Sequence, residues 1–287
     1  MHLHLNESSE QMKKLLFVSI AFAAFLQAGA QYYYLDVIGT AQTNKQYKLI
    51  KDNHLQKISA VSFEGNSKPS TDFVLEQTVG NNGLQITTRS ASVNSGESFF
   101  ISSYNNDRLA KTVDSSSNAI NTVLYDYDTE GRLISTIAGS KDFDGTFSSS
   151  ETHHWKYNNN GQPESMLKVK NAKDSTYITF KYDDAGNVGE ENWHKNNRLT
   201  ETYYYYYNPK KQLTDIVRYN RKARQMLPDF IFDYDAAGNI NQMTQTQGTS
   251  ANYLVWRYLY NANGMKEKEF VFNKQKELLG KIEYSYQ

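Results

Sequence analysis

The chain has 287 residues, no cysteine, and 31 basic against 31 acidic residues, so its formal net charge is zero. Without cysteine there are no disulfides, thiolate metal sites or cysteine nucleophile, nor the cysteine that a lipid-anchored bacterial lipoprotein needs after its signal. Without a basic excess or a basic stripe, nucleic acid is excluded as a partner.

The N-terminus has the form of an export signal. Lys13 and Lys14 precede an apolar run from Leu15 to Leu26, and Ala28-Gly29-Ala30 is a small-x-small cleavage site. The run is too short to span a bilayer comfortably. Residues 1–30 are therefore read as a signal peptide, with translation starting at Met12 and Gln31 as the mature N-terminus. Export without disulfides points to the periplasm or exterior of a Gram-negative-type bacterium.

Residues 31–100 read as an N-terminal β region of divergent repeats. Ile50-Lys51-Asp52-Asn53-His54-Leu55 and Val79-Gly80-Asn81-Asn82-Gly83-Leu84 carry the Asn, Asp and Gly of tight turns. Hairpins would then start close to residue 40.

From residue 101 a phrase recurs: Tyr127-Asp128-Thr129-Glu130-Gly131-Arg132-Leu133, then Tyr182 to Val188 and Tyr234 to Ile240. Looser copies begin at Tyr104, Tyr157, Tyr207 and Tyr260, and Tyr286 opens a truncated one; successive anchors lie 23 to 30 residues apart. Such a period marks a repeat array, in which neighbouring units cover one another. Two residues before the anchors stand Tyr125, Trp155, Phe180, Tyr205, Phe232, Tyr258 and Tyr284; four before stand Val123, His153, Ile178, Tyr203, Phe230, Trp256 and Ile282. Mostly polar residues fall between them, the alternation of a strand with one buried face. Asp or Asn after the anchor and Gly four residues after it make a tight reversal. The second strand runs to a polar tip such as Asn171 to Asp174, Lys195 to Asn197 or Gln247 to Thr249. Each period is thus an antiparallel hairpin. The expected fold is all-β: tandem hairpins of about 25 residues in one elongated, twisted sheet. The sheet curls over its aromatic face, because so large an apolar face left wet would aggregate.

The phrase Tyr-Asp-x-x-Gly-Arg/Asn-Leu/Val/Ile resembles the YD repeat of the Rhs family, over roughly residues 100–287. The resemblance implies a spiralling β-sheet scaffold with links to carbohydrate binding and cell-surface adhesion. In a chain of this length it implies no shell large enough to hold a toxin. Gly264 to Tyr286 also resembles the short hairpin repeats of MORN or YwqK type, which implies similar architecture and a binding role.

Candidate chemistry is sparse. In the run Tyr203 to Tyr207, Tyr204 and Tyr206 fall opposite the core columns, where tyrosine rings offer platforms for sugars; cross-strand packing is the alternative. Trp193 and His194 near a hairpin tip complete the candidate contact set. His153 and His154 point to opposite faces, so they cannot share a metal. Asp142, Asp144 and Glu151 are spaced like part of a calcium loop, but the full pattern is missing. Glu190 and Glu191 would diverge and make a poor acid–base pair. No catalytic, phosphate-binding or cofactor motif is present. The expected function is a non-catalytic binding or surface scaffold whose partner is a glycan or a cell-envelope protein. A protein-interaction module and a carbohydrate-active enzyme are the alternatives.

Overall fold

The computed structural model describes residues 31–65, 69–70, 73–92, 96–115, 119–246 and 252–287. The expected signal peptide and the tip at Gln247 to Thr249 lie outside these residues. Among the described residues eighteen strands follow one another: β1 Lys57–Glu64, β2 Phe73–Gly80, β3 Gln85–Ser92, β4 Gly96–Asn105, β5 Arg108–Asp114, β6 Ala119–Tyr127, β7 Leu133–Asp142, β8 Ser148–Tyr157 and β9 Pro163–Lys170. Then come β10 Asp174–Tyr182, β11 Val188–Lys195, β12 Arg198–Tyr207, β13 Leu213–Asn220, β14 Gln225–Tyr234, β15 Ile240–Thr246, β16 Tyr253–Tyr260, β17 Lys266–Phe272 and β18 Leu278–Tyr286. Each pairs antiparallel with its sequence neighbours.

The sheet is closed. β18 pairs with β1 from Ile58 opposite Tyr286 to Glu64 opposite Gly280. This corrects the expectation of an elongated, curled sheet, while the all-β hairpin architecture holds. Both that sheet and a barrel bury the aromatic columns, but only closure also removes the two edge strands. Among the described residues no terminal strand is left for a partner to extend.

The turns explain the repeated phrase. In the first, Gly131 N–H donates to the Asp128 carbonyl and Asp128 N–H to the Arg132 carbonyl, while Asp128 Oδ1 accepts from Arg132 N–H. Gly131 has φ of 84°, which favours glycine. The anchor tyrosine has a separate job. Tyr127 donates its hydroxyl to the Leu109 carbonyl at 2.8 Å, Tyr157 to Leu133 at 2.8 Å, Tyr234 to Leu213 at 2.7 Å and Tyr260 to Ile240 at 2.8 Å. Tyr182, Tyr207 and Tyr286 make the same bond to Pro163, Val188 and Lys266. Each acceptor opens the second strand of the preceding repeat, except Leu109, which is the second residue of β5. The hydroxyl clasps one hairpin to the previous one, which phenylalanine could not do.

Inside the barrel runs a helix that the sequence reading did not anticipate. It is π-helical over Tyr33–Ile38 and α-helical over Gly39–Asp52; we label it α1. At about 1.5 Å per residue it spans roughly 30 Å, close to the length of a ten-residue strand. The segment Ile50 to Leu55 is therefore a helix end and not a hairpin turn. His54 takes φ of 53°, and the N–H groups of His54 and Leu55 bond back to Lys51 and Ile50. Helix ends and hairpin turns share this left-handed chemistry. The first strand accordingly starts at Lys57, not near residue 40. Val79 to Leu84 does form the β2–β3 turn.

Candidate functional site

The N-terminal half of α1 is fastened to β8–β14. Tyr32 and Tyr34 pack with Trp155, Met166, Ile178, Phe180, Tyr203, Tyr205, Phe230 and Phe232. The Tyr32 ring stacks on Trp193 at 4.7 Å and meets His153 edge-on at 4.7 Å. Glu191, fully buried, accepts from the N–H groups of Tyr32 and Tyr33 at 3.0 Å, from Trp193 Nε1 at 2.7 Å and from the Tyr205 hydroxyl at 2.6 Å. A carboxylate here answers two otherwise unbonded donors at a helix start and the positive end of its dipole. Burial pushes this carboxyl up, against those four bonds.

A charged chain forms the second fastening. Asp36 Oδ2 lies 2.6 Å from His153 Nδ1 and accepts from Trp155 Nε1 at 3.0 Å. His153 Nε2 lies 3.0 Å from Glu151, which also holds Lys168 at 3.0 Å. Burial works against a charged His153, but Asp36 and Glu151 outweigh it and push its pKa up to about 9. Burial likewise opposes ionisation of Glu151, yet His153 and Lys168 hold it down at about 2. Gln31 makes the third link, donating to Asp229 at 2.7 Å, and Asp229 pairs with Arg218 at 2.9 Å.

The C-terminal half of α1 is tied at fewer points. Tyr47 stacks on Tyr104 at 3.7 Å and donates to the Gly83 carbonyl. Asn44 accepts from Leu109 N–H at 2.8 Å.

On its other flank α1 leaves a cavity of about 380 Å³. One wall comes from β2–β7, where the polar Gln77, Thr88, Ser102, Thr112 and Thr136 stand among Ile86, Phe100, Tyr104 and Tyr125. The opposite wall comes from β15–β18, with Met243, Tyr258, Tyr260, Lys266, Glu269, Tyr284 and Tyr286. Asp36, Glu151 and His153 close the side where α1 meets β8. The volume lies within the roughly 300–1,000 Å³ of small-molecule sites. Glu269 is fully buried. Its Oε1 accepts from Lys266 at 2.8 Å and from the Tyr284 hydroxyl at 2.9 Å, while its Oε2 has no partner among the described residues.

The outward face is mixed. Lys57 pairs with Glu76, Arg89 with Glu97, and Lys268 and Lys281 with Glu283. No helix among the described residues is long and apolar enough to cross a membrane.

No family model matches this sequence, and no curated protein does. Solved structures with similar chain paths include a porin-like protein from Bacteroides uniformis, 10% identical, covering 81% of this chain and 96% of that one with a TM-score of 0.39. Another is a porin-like protein from Bacteroides vulgatus, 14% identical, covering 81% and 98% with a TM-score of 0.32. The Tc holotoxin pore of Photorhabdus luminescens is 11% identical and covers 78% of this chain but 14% of its own, with a TM-score of 0.29. At this level of identity and superposition no family or function follows from them.

The structure does not bring the four sequence-derived contact residues together. Tyr204 and Tyr206 lie on the outside of β12, opposite Glu190 and Asp215 on their neighbouring strands, and Tyr206 is 51% exposed. His194 is outside on β11, opposite Leu199. Trp193 faces inward against Tyr32, so the wall separates it from the other three. The two histidines do part, His153 inward and His154 outward. Glu190 and Glu191 part likewise, Glu190 pairing outside with Lys181 at 2.7 Å. Asp142 closes its own turn by accepting from Thr146 and Phe147, and Glu151 sits in the His153 chain, so no calcium set assembles from them. Sequence reading missed Asp36, Glu269 and the fastening role of Glu191. A signal for the two glutamates existed: both stand at inward parity, alternating with Trp193 and Val271.

Proposed function

We propose that this chain is an exported, non-catalytic binding protein of the bacterial cell envelope, with its ligand held inside the barrel beside α1. One observation carries the reading: the N-terminal half of α1 is packed tightly against β8–β14, and beside the helix lies a cavity lined by hydroxyls and tyrosines. A plug that served stability alone would be met by bulky side chains on every flank. The signal-like N-terminus and the absence of cysteine support export.

The test is a thermal-shift and direct-binding screen of the purified protein against glycans and envelope metabolites. Two variants run beside it: Ala138→Phe, which fills the cavity, and the outer-face double variant Tyr204→Ala/Tyr206→Ala. Ligands that bind the parent and the outer-face variant but not Ala138→Phe support the reading. Binding lost only in the outer-face variant moves the site to the exposed tyrosines. A co-purifying polypeptide with no small ligand replaces the reading with a protein-interaction module.

A further inference from the structure

The lysines and arginines that the sequence spreads along its length are gathered by the fold. The β9–β10, β11–β12 and β13–β14 tips lie side by side at one end of the barrel, because these six strands pair in sequence order. The first tip carries Lys170 and Lys173, the second Lys195 and Arg198, the third Arg221, Lys222 and Arg224, all exposed. Against these seven cations, residues 170–174, 195–198 and 220–225 hold one acid, Asp174. The tips are also tied to one another. Asn171 Oδ1 accepts from Ser150 N–H on β8 at 2.9 Å, Lys195 pairs with Asp174 from one tip to the next at 2.8 Å, and Arg221 donates to the Thr200 carbonyl on β12 at 3.1 Å. Like charges held this close repel one another, in a chain whose net charge is zero; an anionic partner relieves that repulsion. At the opposite end the turns of the same strands set Lys210 and Lys211 between Asp183, Asp184 and Asp235, so charge there is mixed.

Apolar side chains stand among the cations. Leu199 follows Arg198, and Met226, close after Arg224, lies opposite Tyr219; all three are exposed. The adjoining β7–β8 tip carries Lys141, Asp142 and Asp144, but Phe143 and Phe147 on it are the most exposed large hydrophobics among the described residues, at 61% and 60%. Asp142 fixes that turn by accepting from Thr146 and from Phe147 N–H. A soluble polyanion would engage the cations and leave these side chains wet. A bilayer with anionic headgroups takes both, its phosphates meeting lysine and arginine while the apolar side chains enter the interface. We propose that this arc of the barrel end, from the β7–β8 tip to the β13–β14 tip, docks on an anionic lipid surface. What the cavity holds has no bearing on the docking.

Vesicle flotation tests this on protein recovered after signal cleavage, since the apolar run Leu15 to Leu26 would itself partition into lipid. Phosphatidylglycerol mixed into phosphatidylethanolamine is the anionic surface, and phosphatidylcholine the neutral one. The parent should float with the anionic vesicles at low salt, be released at high salt, and stay apart from phosphatidylcholine. Arg221→Gln/Lys222→Gln/Arg224→Gln should weaken the anionic binding by roughly 100-fold, from about fivefold per cation. Phe143→Ser/Phe147→Ser should weaken it by a smaller factor. Lys210→Gln/Lys211→Gln, which removes two cations at the opposite end, should float as the parent does. Failure to float with anionic vesicles overturns the proposal. So does equal binding to phosphatidylcholine, or a loss in the opposite-end variant as large as in the arc variant. A DNA duplex bound more tightly than the vesicles, with flotation unchanged in Phe143→Ser/Phe147→Ser, reassigns the arc to a soluble polyanion and overturns the lipid surface as its partner.

Discussion

The β8–β14 wall and the β2–β7 wall are built from the same hairpins but finished differently inside. The first projects Trp155, Phe180, Tyr203, Tyr205, Phe230 and Phe232 onto α1. The second sets Thr88, Ser102, Thr112 and Thr136 among the larger Ile86, Tyr104 and Tyr125 at the same inward parity; Tyr104 meets Tyr47 of α1, and the cavity lies beside the small residues. The backbone is indifferent to the choice. The size of the inward side chain decides whether the barrel is core or container.

The largest effect that would break this contrast is at Glu191. Glu191→Leu leaves four donors unanswered, two at the helix start and two on the wall, and should cost about 3–5 kcal/mol or prevent folding; Thr112→Val on the other wall should change little. Denaturant titration of both variants checks the contrast. Equal losses would mean that the two walls carry the same load. Phe232→Ala and Phe100→Ala sharpen it. The first opens a void in a filled region, at about 3–5 kcal/mol, whereas Phe100 already borders empty space and its truncation should cost clearly less.

A smaller, pH-dependent effect follows from the charged fastening of α1. The pKa of His153 is raised from 6.5 to about 9 in the fold, so its contribution is complete below 6.5 and is lost as pH rises through 9. The pKa of Glu151 is lowered from 4.5 to about 2, so its contribution is complete above 4.5 and is lost as pH falls through 2. The fastening is strongest between those limits, from 4.5 to 6.5. Melting temperature against pH should decline on the alkaline side in the parent, and His153→Gln should flatten that limb. A limb of unchanged slope would place the titration elsewhere. The smallest effect is at a clasp: Tyr234→Phe removes one hydroxyl bond and should cost about 1 kcal/mol.

The hairpins, their turns and their inward columns were legible because each depends on residues within one period. Tyr125 and Tyr127, or Phe230, Phe232 and Tyr234, state their own parity. Closure was not legible, since Ile58 and Tyr286 announce nothing about each other. The helix was hidden for a different reason. Tyr32, Tyr33 and Tyr34 are strand formers by propensity, and His54 ends the helix with a turn residue's backbone. Their surroundings override the local preference: Glu191 binds the first helical N–H groups only once the wall is built around them. Of the site, the exposed position of Tyr204 and Tyr206 followed from alternation, but the cavity depends on which wall the helix leans against.

The seam between β1 and β18 has a kinetic consequence. Ser285 bonds to the carbonyl of Ser59, 226 residues away along the chain, whereas every other strand pair joins neighbours. Hairpins can zip in local steps, each clasped by its tyrosine, but the final ring closure must bring together ends separated by nearly the whole sequence. α1 lies on the inner side of that seam and must be in place before it shuts. Closure of this seam should therefore be the slowest step of assembly, set by chain length and not by the stability of any one hairpin.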